Sequence, residues 1–321
     1  MKHIVIVKFG SFIGVKSQRL RVVVKDKDGE SETQYPLNRL KTINIAKRGV
    51  SISSDLICAL SSRGIKLFIS DYKGPVSTLN SINNHGNVML KIKQATIPYS
   101  LRLSLAKQFM FGKIKNQRAT LLYLNKNDKN QQVNYACDEI KQILSLVENT
   151  FTLEELMGVE GSAANIYFST LKNNGLFPSS FILREGRGAT EITNSMLNFG
   201  YAILSTYAMN AILNCGLEPY IGIFHSQRYG RLSLVQDIIE EYRSWVVDRV
   251  VSKLKHTASD SNELSTEIKQ ALISNIQHTF QTKYLYKNKK IALEHILQRQ
   301  LYKLSGAIVN NTQYKPYLFK W

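Results

Sequence analysis

The strongest constraint this chain places on its own fold is a change of hydrophobic period about a quarter of the way along. Up to about residue 80, apolar residues come in short β-branched runs, HIVIV, RLRVVVK and TINI, the enrichment expected of strands. Beyond that point RLSLAKQFMFGKIKNQRATLLYL, NYACDEIKQILSLVE, LEELMGVEGSAANIYFSTLK and EITNSMLNFGYAILSTYAMNAIL repeat their apolar residues at i, i+3 and i+4. Only a helix turns that spacing to one face. The expected fold is therefore α+β: a small β-rich N-terminal domain at 1–80, a linker at 81–92, and a larger all-α domain at 93–321.

Within the first domain KDKDGESE reads as a charged turn, and VSISSDLICALSSRGIKLFISD as strand or cap, short helix, strand. Ser53 is placed to cap that helix and Gly64 to end it in a left-handed conformation. YKGPVSTLNSINNHGN is rich in Gly, Pro, Ser and Asn and reads as connecting chain. At the other end YKPYLFKW is apolar enough to dock on the core. Three separated cysteines form no CxxC pair and read as packed, reduced thiols. No run approaches the apolar length needed to cross a bilayer, so the expectation is a cytoplasmic protein without a membrane partner.

Charge narrows the function. Lysine and arginine number 42 against 24 acids, a formal charge of +18, which favours phosphate-rich partners. In such a chain the placement of acids is informative. Thr152 and Glu155 form a capping box, and on the helix they open, Glu160 falls among Leu153, Leu156, Met157, Ala164, Tyr167, Phe168 and Leu171. Gly158, Gly161, Ser162 and Ala163 around it are small enough for another backbone to approach. A carboxylate on a packed face must be paired, protonated or bound to a cation. Both a salt bridge to Arg184 or Arg187 and a bound cation satisfy that demand.

The second acidic group lies in GIFHSQRYGRLSLVQDIIEEYR. Asp237, Glu240 and Glu241 are neighbours on a helix surface, opposite a stripe of Val235, Ile238, Ile239, Tyr242, Trp245 and Val246. Alone they would be a solvated acidic face. His225, at the end of GIFH, turns the pattern toward a divalent-metal site of mixed nitrogen and oxygen ligands. Arg228 and Arg231 add guanidinium donors suited to phosphate oxygens. Acids to hold a metal beside bases to hold a phosphodiester suit metal-assisted phosphoryl transfer, with Mg2+ or Mn2+ as the ion. A bound dication would also reverse the local sign that otherwise repels nucleic acid. Lys283, Lys287, Lys289 and Lys290, interleaved with Tyr284 and Tyr286, read either as a DNA-backbone contact or as a solvated loop. Arg102, Lys107 and Lys113 could form another phosphate-tracking surface.

GVEGSAANIYF, LREGRGATEITNSMLNFGYAIL and GIFHSQRYGRLSLVQDIIEEYR resemble the three signature blocks of the CRISPR-associated spacer integrase, the larger of the two universal adaptation subunits. TINIAKRGVSISSDLICALSSRGIKLFISDYKG is similar to the end of that family's β domain. The resemblance implies a dimerising β domain and a helical catalytic domain. It implies metal ligation by Glu160, His225 and Glu240, where many members have Asp at the last position. Asp237 becomes a supporting catalytic acid, and Asn194, in EITN where the family often shows DPVN, and Glu241 become site-supporting residues. Arg184, Arg187, Arg228, Arg231 and the four lysines from 283 to 290 become DNA-contact candidates. The activity implied is attack of a prespacer 3′-hydroxyl on a phosphodiester at a repeat end, with related nuclease activity. The partners implied are double-stranded DNA (prespacer and CRISPR repeat), a second copy of the chain and the smaller adaptation subunit. A transposon-borne integrase of the same family and a non-catalytic basic DNA-binding scaffold are the alternatives.

Overall fold

A computed structural model describes residues 2–26, 29–71, 74–79, 81, 88–186, 188–259 and 263–320. The chain divides into two compact units, Met1–Gly86 and Asn87–Trp321. The first contains β1 (Lys2–Ile6), β2 (Phe12–Lys16), β3 (Arg19–Asp26), β4 (Gly29–Pro36), β5 (Leu40–Ile45), β6 (Ser51–Ile52), α1 (Ser54–Ser62), β7 (Lys66–Asp71) and β8 (Gly74–Leu79). They form two four-stranded sheets, ordered β1-β5-β7-β8 and β4-β3-β2-β6. Ile13 and Leu20 from one sheet, Ile43 and Leu67 from the other, and Leu56 of α1 meet in one core. Ser53 caps α1 by accepting the Leu56 amide at 3.3 Å, and Gly64 follows its end at φ +65°.

Two segments differ from the sequence reading. The described part of KDKDGESE is strand: β3 and β4 pair antiparallel through Asp26 and Gly29, with Arg21 of β3 reaching Glu32 of β4 at 2.6 Å. An edge strand exposed on both faces carries no hydrophobic alternation, so its sequence looks like a turn. GPVSTL, read as connecting chain, is β8, paired antiparallel at the edge of its sheet, where a proline is tolerated. The residues around 82–87, at the centre of the expected linker, lie outside the described residues, and a helix already begins at Val88.

The second unit contains α2 (Val88–Ala95), α3 (Tyr99–Leu124), α4 (Gln131–Leu146), α5 (Leu153–Asn173), α6 (Ile192–Cys215) and α7 (Ser233–Glu240). A π-helical turn (Ser244–Asp248), α8 (Arg249–Lys253), α9 (Lys255–Ser259) and α10 (Thr266–Gln281) follow. A hairpin, β9 (Lys283–Tyr286) and β10 (Lys289–Ala292), then leads into α11 (Leu293–Asn310). The unit is thus mostly, not wholly, helical: the run YLYKNKKIA is a two-stranded hairpin whose alternation is masked by its lysines. The capping box of α5 forms, with Thr152 Oγ1 accepting the Glu155 amide at 3.1 Å. Glu191 caps α6, accepting the Thr193 and Asn194 amides at 2.8 and 2.7 Å. α6 is apolar on nearly all sides and buried accordingly.

The C-terminal segment threads this core. Gly112 of α3 makes room for it, since a Cβ there would lie 2.6 Å from Pro316 Cβ. Asn116 donates to the Tyr317 carbonyl at 2.9 Å and accepts the Phe319 amide at 3.0 Å, and Phe319 stacks on Trp245. Tyr314 donates its hydroxyl to Glu241 at 2.6 Å. Glu241 is wholly buried, and burial pushes its carboxyl up to about 8 from the ordinary 4.5, against the pull of Tyr314 and the Tyr317 amide. A folded-state proton held more tightly than in the unfolded chain means that stability falls as pH rises between those values. Burial raises Asp248 to about 6, so the window above that belongs to Glu241. The melting temperature is expected to drop by several degrees between about pH 6 and 8, and Glu241→Gln is expected to flatten that drop. Thermal denaturation across a pH series measures both.

Candidate active site

The loop between α6 and α7 is built around Asp237. Its Oδ2 accepts the amides of Ile223 and Phe224 at 2.6 and 3.1 Å, and its Oδ1 the amide of His225 at 2.8 Å. The same Oδ1 meets His225 Nδ1 at 2.6 Å. Three backbone donors and an imidazole satisfy a carboxylate that is fully buried, as such a charge requires. Gly222 permits the tight fold, because a Cβ there would press on Ser233 Cβ at 2.6 Å and the His225 carbonyl at 2.7 Å. Asp237 therefore holds His225 by one ring nitrogen and leaves Nε2 as the nitrogen available to a ligand.

The three acids in and just after α7 are not a solvated face. Asp237, Glu240 and Glu241 are exposed by 0%, 3% and 0%, because α7 packs against both α3 and α6. Each has its own partners. Glu241 faces the C-terminal segment and takes no part in the cleft that the sequence reading gave it. Glu240 faces Lys113 of α3, whose ammonium lies 2.6 Å from Oε2 and 2.5 Å from Glu160 Oε1. The contact at Glu240 Oε2 is an ion pair without hydrogen-bond alignment. Arg243 completes the set at 2.8 Å from Glu240 Oε1. Burial alone would raise the Glu240 carboxyl, but Arg243, Lys113 and His225 hold it down at about 2. Lys113 is held charged: its burial disfavours the ammonium, and Glu240 and Glu160 outweigh that cost.

Glu160 is half-buried at the edge of the packed face of α5, which consists of Leu153, Leu156, Ala163, Tyr167 and Leu171. Met157 is exposed, and a Cβ on Gly158 or Gly161 would meet nothing within 4 Å, so among the described residues no backbone approaches there. Glu160, Glu240, Lys113, Arg184, Arg243, Tyr201 and Asp248 line a cavity of about 440 Å3, with an apolar wall that includes Phe168 and Phe181. Arg184 donates to Asn194 and Asn198 at 3.0 and 2.8 Å and lies over the Tyr201 ring at 5.3 Å. Arg243 lies 4.8 Å from the same ring, and the Tyr201 hydroxyl donates to Asp248 at 2.6 Å. Asn194 ties the strap before α6 to its first turn, donating to the Leu183 carbonyl and accepting the Glu185 amide. Its role is to position Arg184.

Of the other expected residues, Arg187 lies outside the described residues. Arg228 and Arg231, in the loop before α7, do not line the cavity. The four lysines from 283 to 290 are exposed on the hairpin. Their neighbouring tyrosines face inward: Tyr284 accepts a hydrogen bond from Trp245 Nε1 at 3.2 Å, and Tyr286 is buried. Of Arg102, Lys107 and Lys113, expected to share a surface, Lys113 is withdrawn by burial. Arg102 donates to the Ile223 carbonyl, Lys107 to that of Glu148, and Lys113 is buried between the carboxylates.

Arg243, Tyr201 and Asp248 escape a reading of the sequence as site residues, and Lys113, read there as a phosphate contact, is instead the partner of the two glutamates. Lys113 carries a signal all the same: it shares the apolar stripe of α3 with Ala106, Phe109 and Met110, as Glu160 borders that of α5. Opposite charges on two apolar stripes are a sign of a buried pair.

A divalent cation fits the donors. Two carboxylates from different helices already converge on one positive charge, and Asp237 leaves His225 with one nitrogen to offer. Glu160 and Glu240 would hold such an ion, with His225 at hand. Among the described residues no three of His, Cys, Asp and Glu yet stand close enough to share one. With His225 fixed to Asp237 and Lys113 seated between the glutamates, the described arrangement is a carboxylate pair around an ammonium.

The chain matches the family described as CRISPR associated protein Cas1 over residues 4–300. It is 50% identical over 322 residues to CRISPR-associated endonuclease Cas1 1 of Francisella tularensis subsp. novicida, spanning 100% of both chains. A casposase bound to integration product has the same fold, with a TM-score of 0.86 at 20% identity, over 100% of this chain and 95% of that one. A chain of a Cas6-RT-Cas1–Cas2 complex matches with a TM-score of 0.80 at 22% identity, over 100% of this chain and 36% of that one. From the family match and the full-length similarity, the chain belongs to the Cas1 family of CRISPR-associated proteins.

Proposed function

We propose that this protein is a metal-dependent DNA integrase and endonuclease of CRISPR adaptation. The observation that carries the reading is the meeting of Glu160 and Glu240 at one positive charge, in a cavity also lined by Arg184 and Arg243. A magnesium or manganese ion bound there would polarise a phosphodiester and stabilise the charge developing on it. The chain's own residues supply the rest. Arg184 and Arg243, braced on Tyr201, seat the phosphate oxygens through guanidinium forks. Asp237 sets the tautomer and direction of His225. The nucleophile is the 3′-hydroxyl of a prespacer in integration and water in cleavage.

The named activity of the Francisella relative supports the nuclease half of this reading, and the casposase with its integration product supports the strand-transfer half. Double-stranded DNA, a second copy of the chain and a smaller Cas2-type subunit are the partners; the Cas1–Cas2 assembly among the structural neighbours supports the last. No described helix is long and apolar enough to cross a membrane. One observation favours the scaffold reading, in which the acids are only salt-bridged: Lys113 already pairs both glutamates. Glu160→Ala, His225→Ala and Glu240→Ala separate the two. Each is expected to lower manganese-dependent strand transfer on the order of a hundredfold or more, with duplex affinity nearly intact. Normal integration by these variants overturns the metal-site assignment.

The hairpin lysines give a second expectation. Pinned by inward tyrosines and exposed along one short ribbon, Lys283, Lys287, Lys289 and Lys290 suit contact with a DNA backbone. Replacing them with alanine is expected to flatten the slope of log affinity against log salt by about 0.9 for each phosphate left without its lysine. An unchanged slope assigns them to solvent.

A further inference from the structure

We propose that Lys113 is the resident counter-cation of the Glu160–Glu240 pair, and that a divalent ion enters by exchange with its ammonium. The proposal rests on reading the cavity as a metal site, and adds that its unloaded state is chemically closed.

The ammonium lies 2.5 Å from one carboxylate and 2.6 Å from the other, in a residue only 9% exposed. It does for the two acids what an ion would do: it bridges helices α5 and α7 and offsets their mutual repulsion. Formal charges balance, two carboxylates against Lys113 and Arg243. A dication added without displacement would sit against the ammonium at close range, and like charges at that separation beside the buried Lys113 and Glu240 repel. One of the two cations must therefore yield.

Arg243 is anchored three ways, by Glu240 at 2.8 Å, by Gln236 at 3.0 Å and by the Tyr201 ring at 4.8 Å. Among the described residues Lys113 is held by the two carboxylates alone, at the end of a flexible four-carbon stem, and it lines the cavity into which it can swing. Exchange has a consequence for substrate. Before it, the cluster is neutral and its lysine is engaged. After it, the cluster is positive and the freed ammonium remains in the wall as a donor for a phosphate. Metal uptake and phosphate capture become one coupled event.

Manganese binding, read from the loss of the free-ion paramagnetic resonance signal and from the rise in melting temperature, tests this without reference to activity. Lys113→Met is expected to bind Mn2+ at least tenfold tighter than wild type and to melt lower than wild type in chelator. Lys113→Arg, which keeps a cation, is expected to bind no tighter than wild type. Adding Glu160→Gln to Lys113→Met is expected to abolish the gain. Equal or weaker binding by Lys113→Met overturns the exchange while leaving the metal site standing. Absence of binding in both proteins overturns both readings, and a gain that survives Glu160→Gln overturns the exchange by placing the ion elsewhere. Should Lys113→Met fold only with Mn2+ present, that rescue supports the exchange. Should it fold in neither condition, Lys113→Gln decides by the same criterion.

Discussion

The ammonium of Lys113 reaches Glu160 on α5 and Glu240 on α7 at the distances of strong ion pairs, and much of the helical unit is arranged around that contact. Taking a carboxylate out of water costs several kcal/mol unless partners replace the solvent. The fold supplies them in series. Glu240 has Lys113 and Arg243, Arg243 has Gln236 and the Tyr201 ring, and Tyr201 donates to Asp248, which also accepts from Tyr167. Each helix that lines the cavity contributes at least one member, so a shift of any helix leaves a buried charge short of a partner. A network of this kind fixes geometry more than it adds stability, because its desolvation cost offsets much of its attraction.

α7 shows how finely burial assigns roles. Three acids within five residues have three different environments: backbone amides around Asp237, cations around Glu240, and tyrosine with apolar chain around Glu241. Adjacent residues, Glu240 and Glu241, are driven in opposite directions, to about 2 and about 8. Identical side chains acquire opposite acidities because one meets Lys113 and Arg243 at ion-pair distance, while burial outweighs the tyrosine, amide and Lys303 that favour the charged form of the other.

Much of this architecture is legible in the sequence, and what is not has physical reasons. The switch of period near residue 80 marks the change from strand to helix, since side-chain repeat is a direct consequence of backbone geometry. Caps at Ser53 and Thr152 are readable because they are local chemistry. β4 and β8 are not, because edge strands bury little and leave no alternation to read, and the alternation of the β9–β10 hairpin is masked by its lysines. At the cavity, Glu160 and Glu240 stand out as acids near apolar stripes. Their pairing with Lys113 does not: that lysine is 47 residues from Glu160 along the chain, and only tertiary packing brings them together. Acids on a helix face look solvated when the helix is considered alone, whereas packing against two neighbouring helices buries all three. The arginines divide for the same reason. Arg184 and Arg243 are turned inward by aromatic and amide partners, while Arg228 and Arg231 sit in a loop outside the lining.

The opposed facing of Glu240 and Glu241 bears on what length changes this segment tolerates. One residue inserted early in α7 would turn every later side chain by about 100° around the helix axis. The cleft-facing Glu240 would move to the tail-facing position and Glu241 one step beyond it, so a neutral insertion would misdirect both without changing net charge. Register inside the helix is therefore bound to the direction each acid must face, and the preceding loop is bound to it through the amides that Asp237 holds.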